Sequence, residues 1–400
     1  MANVRIDSGH VRLIVTGLAA LLISSLAAMY AGINLGEGRS LLALIPGLMV
    51  LVPPTINMRG SIAGAMASRL SSSMHLGEFE VSVHRGSVLG DNIWASFGLT
   101  VVLGFFIGIV SYTASLVFGL AVIGLLDLTL ISLATAVISG ILIMAFSVAI
   151  SVLSYRLELD LDMIAAPTVT TAGDIITIPI LLLVAGWIIA LPGAIREALF
   201  AGILICSTVL VLIAGRKSIR VREIESQSLV VLLPLIIIPT LAGIAYSTKL
   251  EALIAFAALL VLIPPFAGGC GSIGGILVSR LSTLMHTGLI DPVPLPSREA
   301  AGDFAMAYLY TLILLPFMGA VAHLIGQILG LPTPGLVPMI AIATSAGLLL
   351  MTIVVGVAYL TAALSFRYGY DPDNYGIPVV TCVIDLAGAV ILMAIIQMMI

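Results

Sequence analysis

Apolar runs of helical length, parted by short polar stretches, fill the chain from end to end. Each is long enough for a helix to cross a hydrocarbon core of about 30 Å at 1.5 Å per residue. The pattern predicts eleven spans. Five come first, at about 12–33, 41–75, 91–118, 130–155 and 162–191, and a sixth follows at about 196–215. Five more lie at about 229–247, 252–286, 303–329, 337–365 and 376–399. The second and eighth spans each contain a proline pair, Pro53-Pro54 and Pro264-Pro265. Each pair removes two backbone donors, so each helix is expected to break there. Inside a bilayer such a break is tolerated only where the freed groups are buried in protein or line a wet cavity.

The two interrupted spans are copies of one another. Aligned at a shift of 211 residues, Pro53–Gly77 and Pro264–Gly288 are identical at thirteen of twenty-five positions, among them Gly60-Ser61 and Gly271-Ser272, and His75 and His286. The same shift aligns Ser154–Asp174 with Ser365–Asp385, including Thr170 with Thr381 and Asp174 with Asp385. A long internal repeat in a membrane chain means two homologous halves, with the working site expected where they meet. The organisation read from this is a first repeat over 1–192, a linker helix and basic loop over 193–228, and a second repeat over 229–400. Five spans would leave a directly joined second half inverted, and the unpaired sixth span restores its orientation. The expected fold is all-α, a polytopic membrane protein with two parallel five-helix repeats.

Composition agrees. Hydrophobic residues make up 60% of the 400, charged residues 9%, and the mean hydropathy is +1.24. A net charge of −4 gives no reason to expect nucleic acid as a partner. The cysteines, Cys206, Cys270 and Cys382, have neither disulfide nor zinc-site spacing. The first span is not read as a signal peptide, because the second half holds its counterpart in the chain interior. Thirteen of the sixteen Lys and Arg residues fall on the side of the N-terminus and of the loops after even-numbered spans. The positive-inside rule then puts the N-terminus in the cytoplasm and the C-terminus outside, in the plasma membrane.

Of the 20 acidic residues only Asp174 and Asp385 lie deep in a span. Each is 12 residues past an aspartate that opens its helix, about 18 Å into the membrane. A central carboxylate costs about 2.5–3.5 kcal/mol on insertion scales, so it needs a partner or a wet pathway. Two at equivalent places in parallel halves outline a cation site. Neighbouring carboxylates do not both ionise cheaply, and a divalent cation resolves that. Few other hard ligands stand nearby, which suits Mg²⁺ held partly through its waters better than Ca²⁺. The proline pairs, Gly60, Ser61, Gly271, Ser272, Thr170 and Thr381 are candidates to line the pathway. His75 and His286 are candidate gate residues, although an imidazole at a helix C-terminus is also favoured by the helix dipole alone. Arg69 and Arg280 are expected to snorkel to the head-groups.

The two repeated stretches resemble the integral domain of the MgtE magnesium transporters, in the duplicated form of solute carrier family 41. The resemblance rests on the proline pair followed by Gly60-Ser61 and Ser68-Arg69-Leu70-Ser71, on its copy Gly271-Ser272 and Ser279-Arg280-Leu281-Ser282, and on the helices carrying Asp174 and Asp385. It implies a Mg²⁺ pathway on the two-fold axis between the repeats, with those two aspartates as central ligands, in a chain that works as a monomeric pseudo-dimer. The chain departs from the family in having Gly-Ser for its usual Gly-Asn, and in lacking the cytoplasmic regulatory domains of bacterial members. Arg59 stands in one proline-interrupted span and Cys270 at the equivalent place in the other.

A second reading uses the same aspartates to bind Na⁺ or H⁺ in a coupled transporter of another substrate, since duplicated halves and broken helices suit that class too. An enzyme is not expected. Intramembrane aspartyl proteases carry Gly-x-Gly-Asp, whereas Ala172-Gly173 and Val383-Ile384 precede the two aspartates here.

Overall fold

The computed structural model describes residues 8–84, 86–157, 161–215, 218–293, 296, 298–368 and 372–400. Among them there are only helices and short connections. In chain order these are α1 (Ser8–Glu37), α2 (Arg39–Leu44), α3 (Leu48–His75), α4 (Val88–Val117), α5 (Leu125–Arg156), α6 (Leu161–Ala190) and α7 (Gly193–Gly215). Then follow α8 (Ile219–Leu235), α9 (Ile237–Ser247), α10 (Leu250–Ala255), α11 (Ala258–His286), α12 (Ala301–Ile328), α13 (Leu336–Arg367) and α14 (Pro372–Met399). Among the described residues ten spans, against the eleven expected, are long and apolar enough to cross a membrane; α8 and α9 count together as Ile219–Ser247, and α3 is not among the ten. α3 and its copy α11 are 28 and 29 residues long, but Asn57 and Arg59 stand where α11 has Gly268 and Cys270.

The chain forms two compact units. One is contiguous, Glu37–Glu251, and the other is split, Met1–Gly36 with Ala252–Ile400. The units are therefore not cut where the sequence repeat is cut. The first helix of each repeat packs in the unit that holds the remaining helices of the other repeat. In the contiguous unit α9 lies along α3; in the split unit α1 lies against α11 and α12.

The helices form because apolar backbone in lipid must satisfy its polar groups internally. Hydroxyls follow the same rule. Ser139, Ser147 and Ser151 each donate to the carbonyl four residues back, at 2.6–2.8 Å. Close helix contacts use small residues. A methyl added at Gly104 of α4 would meet Ala136 of α5, and Ser132 donates to the Gly104 carbonyl at 2.7 Å. At the equivalent crossing in the split unit the sizes are exchanged, Leu315 of α12 packing on Gly347 of α13.

The expected break at the proline pairs is not found. α3 runs through Pro53-Pro54 and α11 through Pro264-Pro265. The chain is interrupted earlier, at residues 45–47 and 256–257, so the expected spans 41–75 and 252–286 are each a short helix followed by a long one. In the first repeat Pro46 and Gly47, with φ at 89°, make the turn. The prolines fall early in α3 and α11, where the loss is two ladder bonds per helix. The carbonyls that lose those donors include Val50 and Val261, four residues before Pro54 and Pro265. Each is covered. Gly243 of α9 lies on the Val50 carbonyl, closely enough that an added methyl would sit 2.5 Å from the oxygen. Gly32 of α1 covers the Val261 carbonyl in the same way, closer still. Such Cα–H···O contacts are weak, yet they recur at close helix crossings.

Candidate functional site

In each unit the proline helix packs directly against the aspartate helix, α3 on α6 and α11 on α14. Asp174 is the fourteenth residue of the thirty in α6, and Asp385 the fourteenth of the twenty-eight in α14, so both stand near mid-helix. The residue before each aspartate makes the packing contact. A methyl at Gly173 would touch the Cβ of Arg59 in α3 at 3.9 Å. Ile384, its counterpart, reaches the Gly274 position of α11, where an added methyl would meet it at 3.1 Å. Both carboxylates are half-buried, and each has an interaction partner. Asp174 belongs to the contiguous unit and Asp385 to the split one.

The other expected residues fall along the same two helix pairs. Pro54 and Pro265 are buried, while Pro53, Pro264, Gly60, Ser61, Gly271 and Ser272 are half-buried. The Ser272 hydroxyl donates to the Gly268 carbonyl at 2.9 Å. Thr381 is half-buried on α14; the side chain of its counterpart Thr170 lies outside the described residues. His75 and His286 are the last residues of α3 and α11. The His286 Nδ1 lies 2.8 Å from the Ser282 carbonyl, and its ring meets Phe366 edge-on. Past each histidine the chain turns at Gly77 (φ 70°) and Gly288 (φ 71°), a left-handed position that glycine takes without strain. Among the described residues, no three His, Cys, Asp or Glu side chains gather as a metal site.

The snorkelling expected of Arg69 and Arg280 is corrected by the structure. Arg69 Nε donates to Asn92 Oδ1 of α4 at 2.7 Å, and Arg280 Nε to Asp303 Oδ1 of α12 at 2.5 Å. The Arg of each Ser-Arg-Leu-Ser string thus ties its helix to the N-terminal end of the next. Reading the sequence missed these partners, and missed Gly32 and Gly243, although all four obey the 211-residue shift. It also missed the setting of Arg59, whose Nη1 donates to the Ala136 carbonyl at 3.0 Å and to Thr100 Oγ1 at 3.3 Å.

These features define a duplicated, polytopic all-α membrane protein in which both halves carry a mid-helix aspartate beside a proline-bearing helix. The sequence model of the MgtE family, described as divalent cation transporters, matches residues 52–184 and 263–395, the two repeats. The chain belongs to that family. Solute carrier family 41 member 3 of Rattus norvegicus is 24% identical over 401 residues, covering 93% of this chain and 84% of the relative. Member 3 of Mus musculus is also 24% identical, over 87% of this chain and 74% of its own length. Member 2 of Mus musculus is 24% identical over 86% of this chain and 63% of its own. No solved structure matches the chain.

Proposed function

We propose that this protein carries Mg²⁺ across the plasma membrane, with Asp174 and Asp385 as the ligands that define its central site. The observation that carries the reading is the paired position of the two aspartates. Each is the fourteenth residue of its helix, packed beside the proline-bearing helix of its own unit, within a segment matched by the family model. A carboxylate at mid-membrane needs charge compensation, and a cation in transit supplies it. Two carboxylates with few other hard ligands suit an ion that keeps part of its water shell, which favours Mg²⁺. The pathway runs on the pseudo-two-fold axis between the sequence repeats, 1–192 and 229–400, joined by 193–228. Hydroxyls of Ser61, Ser272, Thr170 and Thr381 and the small residues Gly60 and Gly271 line it, and His75 and His286 stand at its cytoplasmic gate. The N-terminus is cytoplasmic, the C-terminus is outside, and one chain is a working unit.

The test is Mg²⁺ uptake into proteoliposomes. Asp→Asn keeps shape and hydrogen-bonding capacity while removing charge. Either single change is expected to weaken flux, and the double change to abolish it in protein that still inserts and elutes as a folded species. Unchanged flux through a folded double variant rejects the assignment. Running the assay with and without a Na⁺ or pH gradient separates this reading from a coupled transporter of another substrate.

A further inference from the structure

Arg59 is 2% exposed, in the interior of α3. A guanidinium has five N–H donors and keeps its charge. Two of them, on Nη1, reach the Ala136 carbonyl of α5 and Thr100 Oγ1 of α4, both inside membrane-crossing helices. The other three, on Nε and Nη2, are buried without a hydrogen-bond partner. Nε and Nη2 share one edge of the guanidinium, a fork that can hold an anion with two bonds at once. Among the described residues Arg59 makes no ion pair. The Glu225 carboxylate does rest on α4, but at Gly98, about 200° around the helix from Thr100. A buried charge without a counter-charge is costly, most of all in a membrane. α4 and α5 hold further unpaired groups at this level. Ser96 Oγ, one turn before Thr100, and Thr135 Oγ1, next to Ala136, are fully buried and have no partner. The second repeat has Cys270, Ala307 and Ala346 at the places of Arg59, Ser96 and Thr135, so all three unpaired groups are absent there together. Thr311, the copy of Thr100, is kept and donates to the Ala307 carbonyl at 2.9 Å.

We propose that Arg59 holds a small monovalent anion, of the chloride class, among α3, α4 and α5 of the unit Glu37–Glu251. The anion sits on the Nε–Nη2 edge, and the Ser96 and Thr135 hydroxyls supply further donors. One guanidinium calls for one negative charge, and a divalent oxyanion would leave a charge over. The bound anion neutralises the arginine and fastens the proline-bearing helix α3 to α4 and α5. The other half, with Cys270 in place of the arginine, needs none. The proposal does not depend on which residues bind the transported ion.

The experiment measures binding of radiolabelled chloride to the purified full chain, with thermal unfolding followed in chloride and in gluconate at equal ionic strength. Saturable binding of about one chloride per chain is expected, and the unfolding temperature should rise with chloride concentration, as it does for any ligand of the folded state alone. Arg59→Met removes the charge and keeps most of the volume; it is expected to abolish binding and to unfold at the same temperature in both salts. Arg59→Lys keeps the charge but loses the fork, and is expected to bind chloride at least tenfold more weakly. Absence of saturable binding to the unaltered protein overturns the proposal. So does binding that survives in folded Arg59→Met, or that is undiminished in Arg59→Lys. A second measurement needs no variant. Crystals grown in bromide are expected to show an anomalous peak beside Nε and Nη2 of Arg59, and bromide crystals without a peak there overturn the proposal too.

Discussion

α3 and α11 were once the same helix, and they now differ in charge more than in backbone. Both follow a short helix and an interruption, both run through a proline pair, and both end at a left-handed glycine. Both have a carbonyl covered by a glycine from the other repeat's first helix. The side chains have diverged. α3 carries Asn57 and Arg59 where α11 carries Gly268 and Cys270. Arg69 faces neutral Asn92, while Arg280 faces the carboxylate of Asp303. Geometry that holds the backbone together has been kept in both halves, and the charged and polar side chains along the two helices have diverged. Duplication within a single chain permits this, because the halves of a true homodimer cannot vary separately.

If the kept backbone contact is what holds the proline helices, its removal should produce the largest stability loss and should do so equally in both halves. Gly243→Ala and Gly32→Ala would push a methyl into the Val50 and Val261 carbonyls. Overpacking of this kind costs about 1–3 kcal/mol, against up to ~1 kcal/mol gained from the better helix propensity of alanine. Net destabilisation is expected in detergent thermal unfolding. Gly64 and Gly275 supply the control: they occupy equivalent places on α3 and α11, and an added methyl meets nothing within 4 Å. Alanine there should be neutral or slightly stabilising. A similar loss at all four glycines would show that helix flexibility, rather than the carbonyl contact, is what matters.

The span boundaries were legible because lipid leaves the backbone little choice. The span expected at about 303–329 is α12, Ala301–Ile328, and the one at about 337–365 is α13, Leu336–Arg367. The equivalence of Asp174 and Asp385 was legible in the 211-residue repeat, and both are the fourteenth residue of their helices. What could not be read was the fate of the proline pairs. A sequence shows the lost donor at Pro54 but not the glycine at position 243 that covers the freed carbonyl. The exchange of first helices between units was hidden for the same reason, since both arrangements have identical apolar patterns. Arg69 and Arg280 were misjudged because snorkelling is the default for a basic residue near a helix end, and their partners lie on the next helix.

The diverged pair at the start of α4 and α12 should give an intermediate effect, of opposite sign in the two halves. Asp303→Asn leaves Arg280 with a neutral acceptor, the situation Arg69 already has. The arginine keeps its charge in either case, so what is lost is the ion pair's Coulombic part, and a cost of about 0.5–1 kcal/mol is expected. Asn92→Asp should stabilise by less, because Asp91 stands beside it and like charges repel. Asp91 is already engaged, its Oδ2 accepting from Ser218 at 2.8 Å and its Oδ1 from the Gly86 N–H at 3.1 Å. Thermal unfolding of both variants and of the double exchange would test whether the arginine clamps are interchangeable. A destabilised Asn92→Asp protein would mean that the first repeat keeps asparagine to limit negative charge there.

The smallest effect should come from a contact that only one half possesses. Arg196 of α7 bonds Asp127, in the first turn of α5, at 2.5 Å, with side-chain exposures of 24% and 22%. The second repeat has Pro338 at the position equivalent to Asp127, and α7 has no counterpart there. The pair is partly exposed, so solvent screening limits its worth to about 0.5–1 kcal/mol. Asp127 also favours the N-terminus of α5 through the helix dipole, a term that Asp127→Asn removes at the same time. Arg196→Gln removes only the pair. If Asp127→Asn costs more than Arg196→Gln, the difference measures the dipole term. If the two are equal and small, the link between α7 and the first repeat rests on apolar packing such as Phe200 stacked on Phe105 of α4, at 6.5 Å between ring centres.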